Sequence, residues 1–100
     1  MAKFGMVGKF VCEASNRDKL VAILSEASAL MEAQADCIFY VISTDANDET
    51  AVHVMELWES KEAHDESLTL PEVRELIGKA MPMIKGTEGA SLNPVAGKGL

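Results

Sequence analysis

The sequence predicts an α+β fold of the ferredoxin-like type, with segments in the order β-α-β-β-α-β and an antiparallel sheet carrying its helices on one face. Three observations carry this. Short strand-like apolar runs alternate with stretches of helical spacing along the chain. The connection between the second and third strands is short and polar, as in a hairpin. The 100 residues are 48% hydrophobic, which suits one folded domain and lies far above an acidic disordered tail. The expected core runs from about 3 to 95, with a Gly-rich, frayed tail at 96–100.

The first strand falls within residues 3–13, with Phe4, Met6, Phe10 and Cys12 on one parity and Val7 and Val11 on the other. Gly5 and Gly8 inside it predict a close approach or a bulge. Ser15-Asn16-Arg17-Asp18 reads as a helix cap, followed by Leu20, Ile23, Leu24, Ala27, Leu30 and Met31 at helical spacing, a helix from about 16 to 34. The β-branched and aromatic run 36–43 is the second strand, and Asp45-Ala46-Asn47-Asp48-Glu49 its turn. Residues 51–59 form the third. Ser60 caps a short helix through Ser67, and Pro71 opens a second helix whose apolar face is Val73, Leu76, Ile77 and Ala80. Pro82 ends or bends it near 81. The last strand covers 87–95, with Ala90 and Leu92 on one side.

Strands two and three are apolar on both parities: Cys37, Phe39 and Val41 against Ile38, Tyr40 and Ile42, then Met55 and Leu57 against Val52, Val54 and Trp58. Helices cover one face only, so a homodimer through the sheet faces is expected. The alternative is a strand pair that is simply richer in apolar residues than most. In the usual strand order Cys12 and Cys37 stand about 9–10 Å apart or more, too far for a disulfide. Two buried free thiols are expected.

Nine Lys and Arg against sixteen Asp and Glu give a net charge of −7 and a pI near 4.7. The basic residues are scattered, which argues against nucleic-acid or membrane-surface partners. No stretch is long and apolar enough to span a membrane, and no secretory leader is visible, so a cytoplasmic protein is expected. The cysteines have no CxxC spacing and no histidine cluster beside them, which gives no support for a metal.

The segment Glu56-Leu57-Trp58-Glu59-Ser60-Lys61-Glu62-Ala63-His64, followed by Leu68, Pro71 and Val73, resembles the E-x-W-x-s-x-e-A-h signature of the antibiotic biosynthesis monooxygenase (ABM) family. Tyr40-Val41-Ile42-Ser43-Thr44-Asp45 is similar to the family's y-x-v-x-x-d stretch. The resemblance spans residues 3–95 and is most specific in the central segment. It implies a dimeric α/β barrel, quinol-monooxygenase-like, with a ligand cavity between sheet and helices. The family includes cofactor-free oxygenases of phenols and quinols, haem-degrading monooxygenases and small-molecule isomerases. In the first group the deprotonated substrate itself reduces O₂, and the protein supplies a dry pocket, a base and oxyanion donors.

On that basis Trp58, His64 and Glu56 are the catalytic candidates, and Tyr40, Trp58 and Ser67 the substrate contacts. Each has a plainer role. Trp58 is either a pocket wall with an N–H to donate or a core filler. Glu56 shares its parity and either acts in catalysis or orients Trp58 or a backbone N–H. His64 either shuttles a proton or lies exposed on the short helix. His53, on the opposite parity, is expected to be structural. Tyr40 donates to a substrate oxygen or only packs at the sheet end.

Two departures weigh on activity: many quinol-oxidising relatives carry histidines where this chain has Ser67 and Glu72. The haem-degrading branch uses an Asn, a Trp and a His where Gly8, Ser67 and Ile77 align, so haem is disfavoured and no cofactor is expected. His64 is the nearest substitute, three residues from Ser67 and expected on a different side of the helix. The leading expectation is a cofactor-independent monooxygenase of a small aromatic or quinol-like compound. The alternatives are a dimeric binding protein for a small apolar ligand and a small-molecule isomerase.

Overall fold

The computed structural model describes residues 2–100. The elements are β1 (Phe4–Val11), α1 (Arg17–Met31), β2 (Cys37–Thr44), β3 (Ala51–Trp58), α2 (Lys61–Ser67), α3 (Pro71–Ala80) and β4 (Gly86–Leu92), with 3₁₀ turns at Ala14–Asn16 and Met81–Met83. All strand pairings are antiparallel in the order β2-β3-β1-β4. This is the expected α+β, ferredoxin-like arrangement. No helix is long and apolar enough to cross a membrane among the described residues.

Local chemistry sets most boundaries. The Ser60 hydroxyl accepts from the Ala63 N–H at 3.1 Å and starts α2, and Pro71 occupies the first turn of α3. The start of α1 differs from the expected cap. The chain enters it through the 3₁₀ turn, Asn16 sits at the cap position, and no side chain closes that end. The helix stops at Met31 rather than 34, in a turn where Ala33 and Gln34 N–H groups bond Leu30 and Met31 carbonyls. β4 ends at Leu92, ahead of Pro94.

The helix-facing side of the sheet packs Cys12, Val52, Leu20, Leu24 and Ala80 into one core cluster, and Phe4, Met31, Trp58 and Val73 into a second. Trp58, Leu20, Val52 and Cys12 are the largest fully buried side chains. Between Cys37 and Phe39 the register slips, so that Cys37 faces Trp58 while Phe39 pairs with Leu57 and Tyr40 with Glu56. The extra residue reverses the parity along β2. Cys37, Tyr40 and Ile42 therefore share the helix side, whereas simple alternation placed Cys37 with Phe39. Both thiols are free; Cys12 is buried as expected, but Cys37 only half-buried.

The opposite face carries a band of apolar side chains without cover: Val7, Phe39, Val41, Met55 and Leu92 are 37–44% exposed. Beyond one end of that band stand the Lys9–Glu88 ion pair at 3.7 Å and a His53 Nε2–Asp45 Oδ2 hydrogen bond at 2.7 Å. The Asp45 carboxyl is held below the usual range by the Asn47 N–H and then by His53.

Candidate active site

A cavity of about 510 Å³ lies between the helix-facing side of the sheet and helices α1 and α3. Glycine makes room for it. Gly8 and Gly89 pair across β1 and β4, leaving the cavity floor without side chains at its centre. A Cβ at Gly89 would meet the Val7 carbonyl oxygen at 2.8 Å, and one at Gly8 would meet Val54 Cγ1 at 3.1 Å. The strands thus approach each other in a way that larger residues would disturb. Leu24, Ala27 and Met31 of α1 and Val73, Leu76 and Ile77 of α3 supply apolar walls.

Into this apolar space the sheet sends two adjacent polar side chains, Glu56 and Tyr40, which are cross-strand partners. The Glu56 side chain is only 9% exposed. Its Oε1 accepts the Trp58 indole N–H at 3.0 Å and stands 3.7 Å from His64 Nε2. Burial raises the Glu56 pKa, and the Trp58 hydrogen bond and His64 oppose that rise. Burial first, and then the neighbouring Glu56 and Cys37, also raise the Tyr40 pKa. Tyr40 therefore stays a hydroxyl able to donate.

His64 is buried rather than exposed, at 5%. Its ring lies 5.0 Å from Phe4 and meets Trp58 edge-on at 5.8 Å. Nδ1 lies 2.9 Å from Asp65 Oδ1. Ser67, expected on a different side of α2, shares the buried side with His64, as a spacing of three residues dictates. Its hydroxyl donates to the His64 carbonyl at 2.6 Å, so toward the cavity it offers acceptor lone pairs and no hydrogen. Trp58 does not line the cavity; at 1% exposure it fills the core behind Glu56 and orients the carboxylate. Glu72 lies exposed, away from the cavity.

The structure thus joins Trp58, Glu56, His64 and Tyr40 and separates off His53. The sequence reading missed Asp65, which nothing but its adjacency to His64 could have marked. It marked Gly8 for a close approach, which the structure shows against Val54, but missed its partner Gly89, for which a register across β1 and β4 was needed.

Residues 4–79 match the antibiotic biosynthesis monooxygenase family. The chain belongs to this family. Among solved structures, a Chloroflexus aurantiacus J-10-fl protein assigned as an antibiotic biosynthesis monooxygenase is 34% identical, with 95% of each chain covered and a TM-score of 0.85. One from Caulobacter crescentus CB15, given the same assignment, is 15% identical over 95% of this ABM chain and 92% of its own, with a TM-score of 0.89. A Mycobacterium tuberculosis protein is 18% identical over 96% and 98%, with a TM-score of 0.86. The last two speak for the fold alone. No protein of curated function matches the chain.

Proposed function

We propose that this ABM-family protein is a cofactor-independent monooxygenase that oxidises a small, uncharged aromatic or quinol-like compound with O₂. The observation that carries the proposal is a buried carboxylate, Glu56, facing an apolar cavity beside the Tyr40 hydroxyl. A cavity of this size suits a ligand of one to three rings. A raised carboxylate pKa narrows the gap to a phenolic hydroxyl and makes Glu56 a better base than a solvated acid. Glu56 takes the substrate proton while Tyr40 donates to the oxygen that becomes anionic. The anion gives an electron to O₂, the radical pair joins as a peroxide anion that takes the proton back from Glu56, and loss of the carbon-bound hydrogen with the outer hydroxide, as water, leaves the new carbonyl. One oxygen atom enters the product and the other leaves as water, with all electrons drawn from the substrate. Haem fits these residues poorly: apolar Ile77 stands where the resemblance expects an axial ligand, and His64 faces Asp65 and Glu56.

Oxygen-electrode assays across a panel of phenols and quinols test this. The expected result is protein-dependent O₂ uptake that Glu56→Gln lowers by about 100-fold or more. No uptake with any of them would contradict it. Solvent deuterium incorporation without O₂ uptake would instead indicate an isomerase.

A second reading, ligand binding without turnover, is favoured by the Ser67 hydroxyl being tied to a backbone carbonyl where quinol-oxidising relatives carry a histidine. Its mark is a ligand that quenches Trp58, raises the melting temperature and is recovered unaltered.

The working unit in this proposal is a homodimer joined through the open sheet face, supported by the uncovered band of Val7, Phe39, Val41, Met55 and Leu92. Two free thiols suit a reducing cytoplasm.

A further inference from the structure

We propose that Asp65 is a positioning residue: by accepting the Nδ1 hydrogen of His64 it leaves Nε2 bare toward Glu56, making the Glu56–His64 pair a store for the substrate's proton. The proton-store role rests on the oxygenase reading above; the tautomer does not. Asp65 Oδ1 lies 2.9 Å from His64 Nδ1, and Asp65 Oδ2 accepts from Lys61 Nζ at 2.7 Å. Lys61 and then His64 hold the Asp65 carboxyl below its usual range. An ionised carboxylate only accepts, so Nδ1 must carry the hydrogen, and in a neutral imidazole Nε2 is then a free acceptor. That nitrogen stands 3.7 Å from Glu56 Oε1. The gap is longer than a hydrogen bond and small enough for a slight rotation of either side chain to close.

The reaction gives such a store a use. A substrate occupying the cavity hinders water from reaching Glu56, and the reaction as a whole releases no proton. The proton leaves the substrate oxygen for Glu56 and passes to Nε2, giving an imidazolium paired with Asp65. It returns by the same route to the peroxide anion left when the radical pair joins, giving the hydroperoxide; Glu56 then takes the proton from the carbon that bears it as the O–O bond breaks, and passes that proton to the expelled hydroxide, which departs as water. Glu56 and His64 end the cycle as they began it. The groups facing His64 are Asp65 on its own helix, Glu56 across from it on β3, and the rings of Phe4 and Trp58.

The test is ¹⁵N spectroscopy of the imidazoles in the full chain. His53 is the other of the two histidines, and His53→Gln leaves the His64 signals alone. Neutral His64 is expected to show a protonated Nδ1 and a bare Nε2, and Asp65→Ala, which leaves no acceptor there, to abolish that preference while the Trp58 indole signal stays in place. A protonated Nε2 in the parent, or an unchanged tautomer in Asp65→Ala, would overturn the proposal. With a quinol that the wild type oxidises, Asp65→Ala should lower kcat about tenfold with KM within about twofold. A kcat within about twofold of wild type would overturn the store. A wild type that oxidises no quinol takes the store down with the oxygenase reading, while the spectra still decide the tautomer.

Discussion

Glu56 is the residue on which chemistry and stability oppose each other. Burial raises its pKa in the folded chain above the unfolded value. Its neutral form therefore contributes stability that is fully present below the unfolded carboxylate pKa, and this is lost as pH rises through the higher folded one. Urea unfolding should show the wild type losing stability over that window. Glu56→Gln should lack the loss and be at least as stable above neutrality, while inactive. Trp58→Phe makes a complementary prediction. It removes the N–H that holds the carboxylate at 3.0 Å and lowers its pKa. The rising limb of the pH–rate profile should move to higher pH, and stability should fall by about 1–3 kcal/mol from the lost indole volume. A Trp58→Phe profile superimposable on wild type would separate the indole from the carboxylate's chemistry.

At the scale of elements, the two glycines with the strongest contrast are Gly89 and Gly78. A Cβ on Gly89 meets the Val7 carbonyl at 2.8 Å, whereas one on Gly78 in α3 meets nothing within 4 Å. Gly89→Ala should destabilise by about 1–3 kcal/mol by forcing β4 away from β1. Gly78→Ala should stabilise by about 0.4–1 kcal/mol, since a helix interior favours alanine. Denaturant titration of both variants checks the pair, and equal effects would contradict the close approach of β1 and β4. Much at this scale was legible in the sequence. Short apolar runs, alternating in β1 and β-branched and aromatic in β2, located the strands, and Ser60 and Pro71 announced α2 and α3 through chemistry local to the chain. What escaped depends on pairing. The slip at Ile38 that turns Cys37 inward follows from the β2–β3 register, and no local pattern encodes it. His64 was hidden for a similar reason: its burial depends on Phe4 from β1 and Trp58 from β3 packing around it. Trp58 could be assigned to the site from the signature, but its place behind Glu56 required the side-chain geometry.

For the whole molecule, one side of the sheet forms the core and the cavity, while the other presents its apolar band to solvent. Phe39 and Met55 sit in that band at 44% and 43% exposure, and the proposed dimer buries it. Light scattering should give twice the 10.8 kDa of one chain, and Met55→Lys or Phe39→Glu should shift the mass toward the monomer, because an unpaired buried charge is costly. A wild-type monomer at micromolar concentration would contradict the pairing. The net charge of −7 opposes aggregation of the chain and disfavours anionic ligands near a cavity that already holds Glu56. The central claim is that this cavity oxygenates its ligand with the ligand's own electrons. The most direct test is mass spectrometry of a quinol turned over by the metal-free protein under ¹⁸O₂. One ¹⁸O atom in the product and one in water, with neither label appearing for Glu56→Gln, is the predicted result; a bound ligand recovered without label would contradict it.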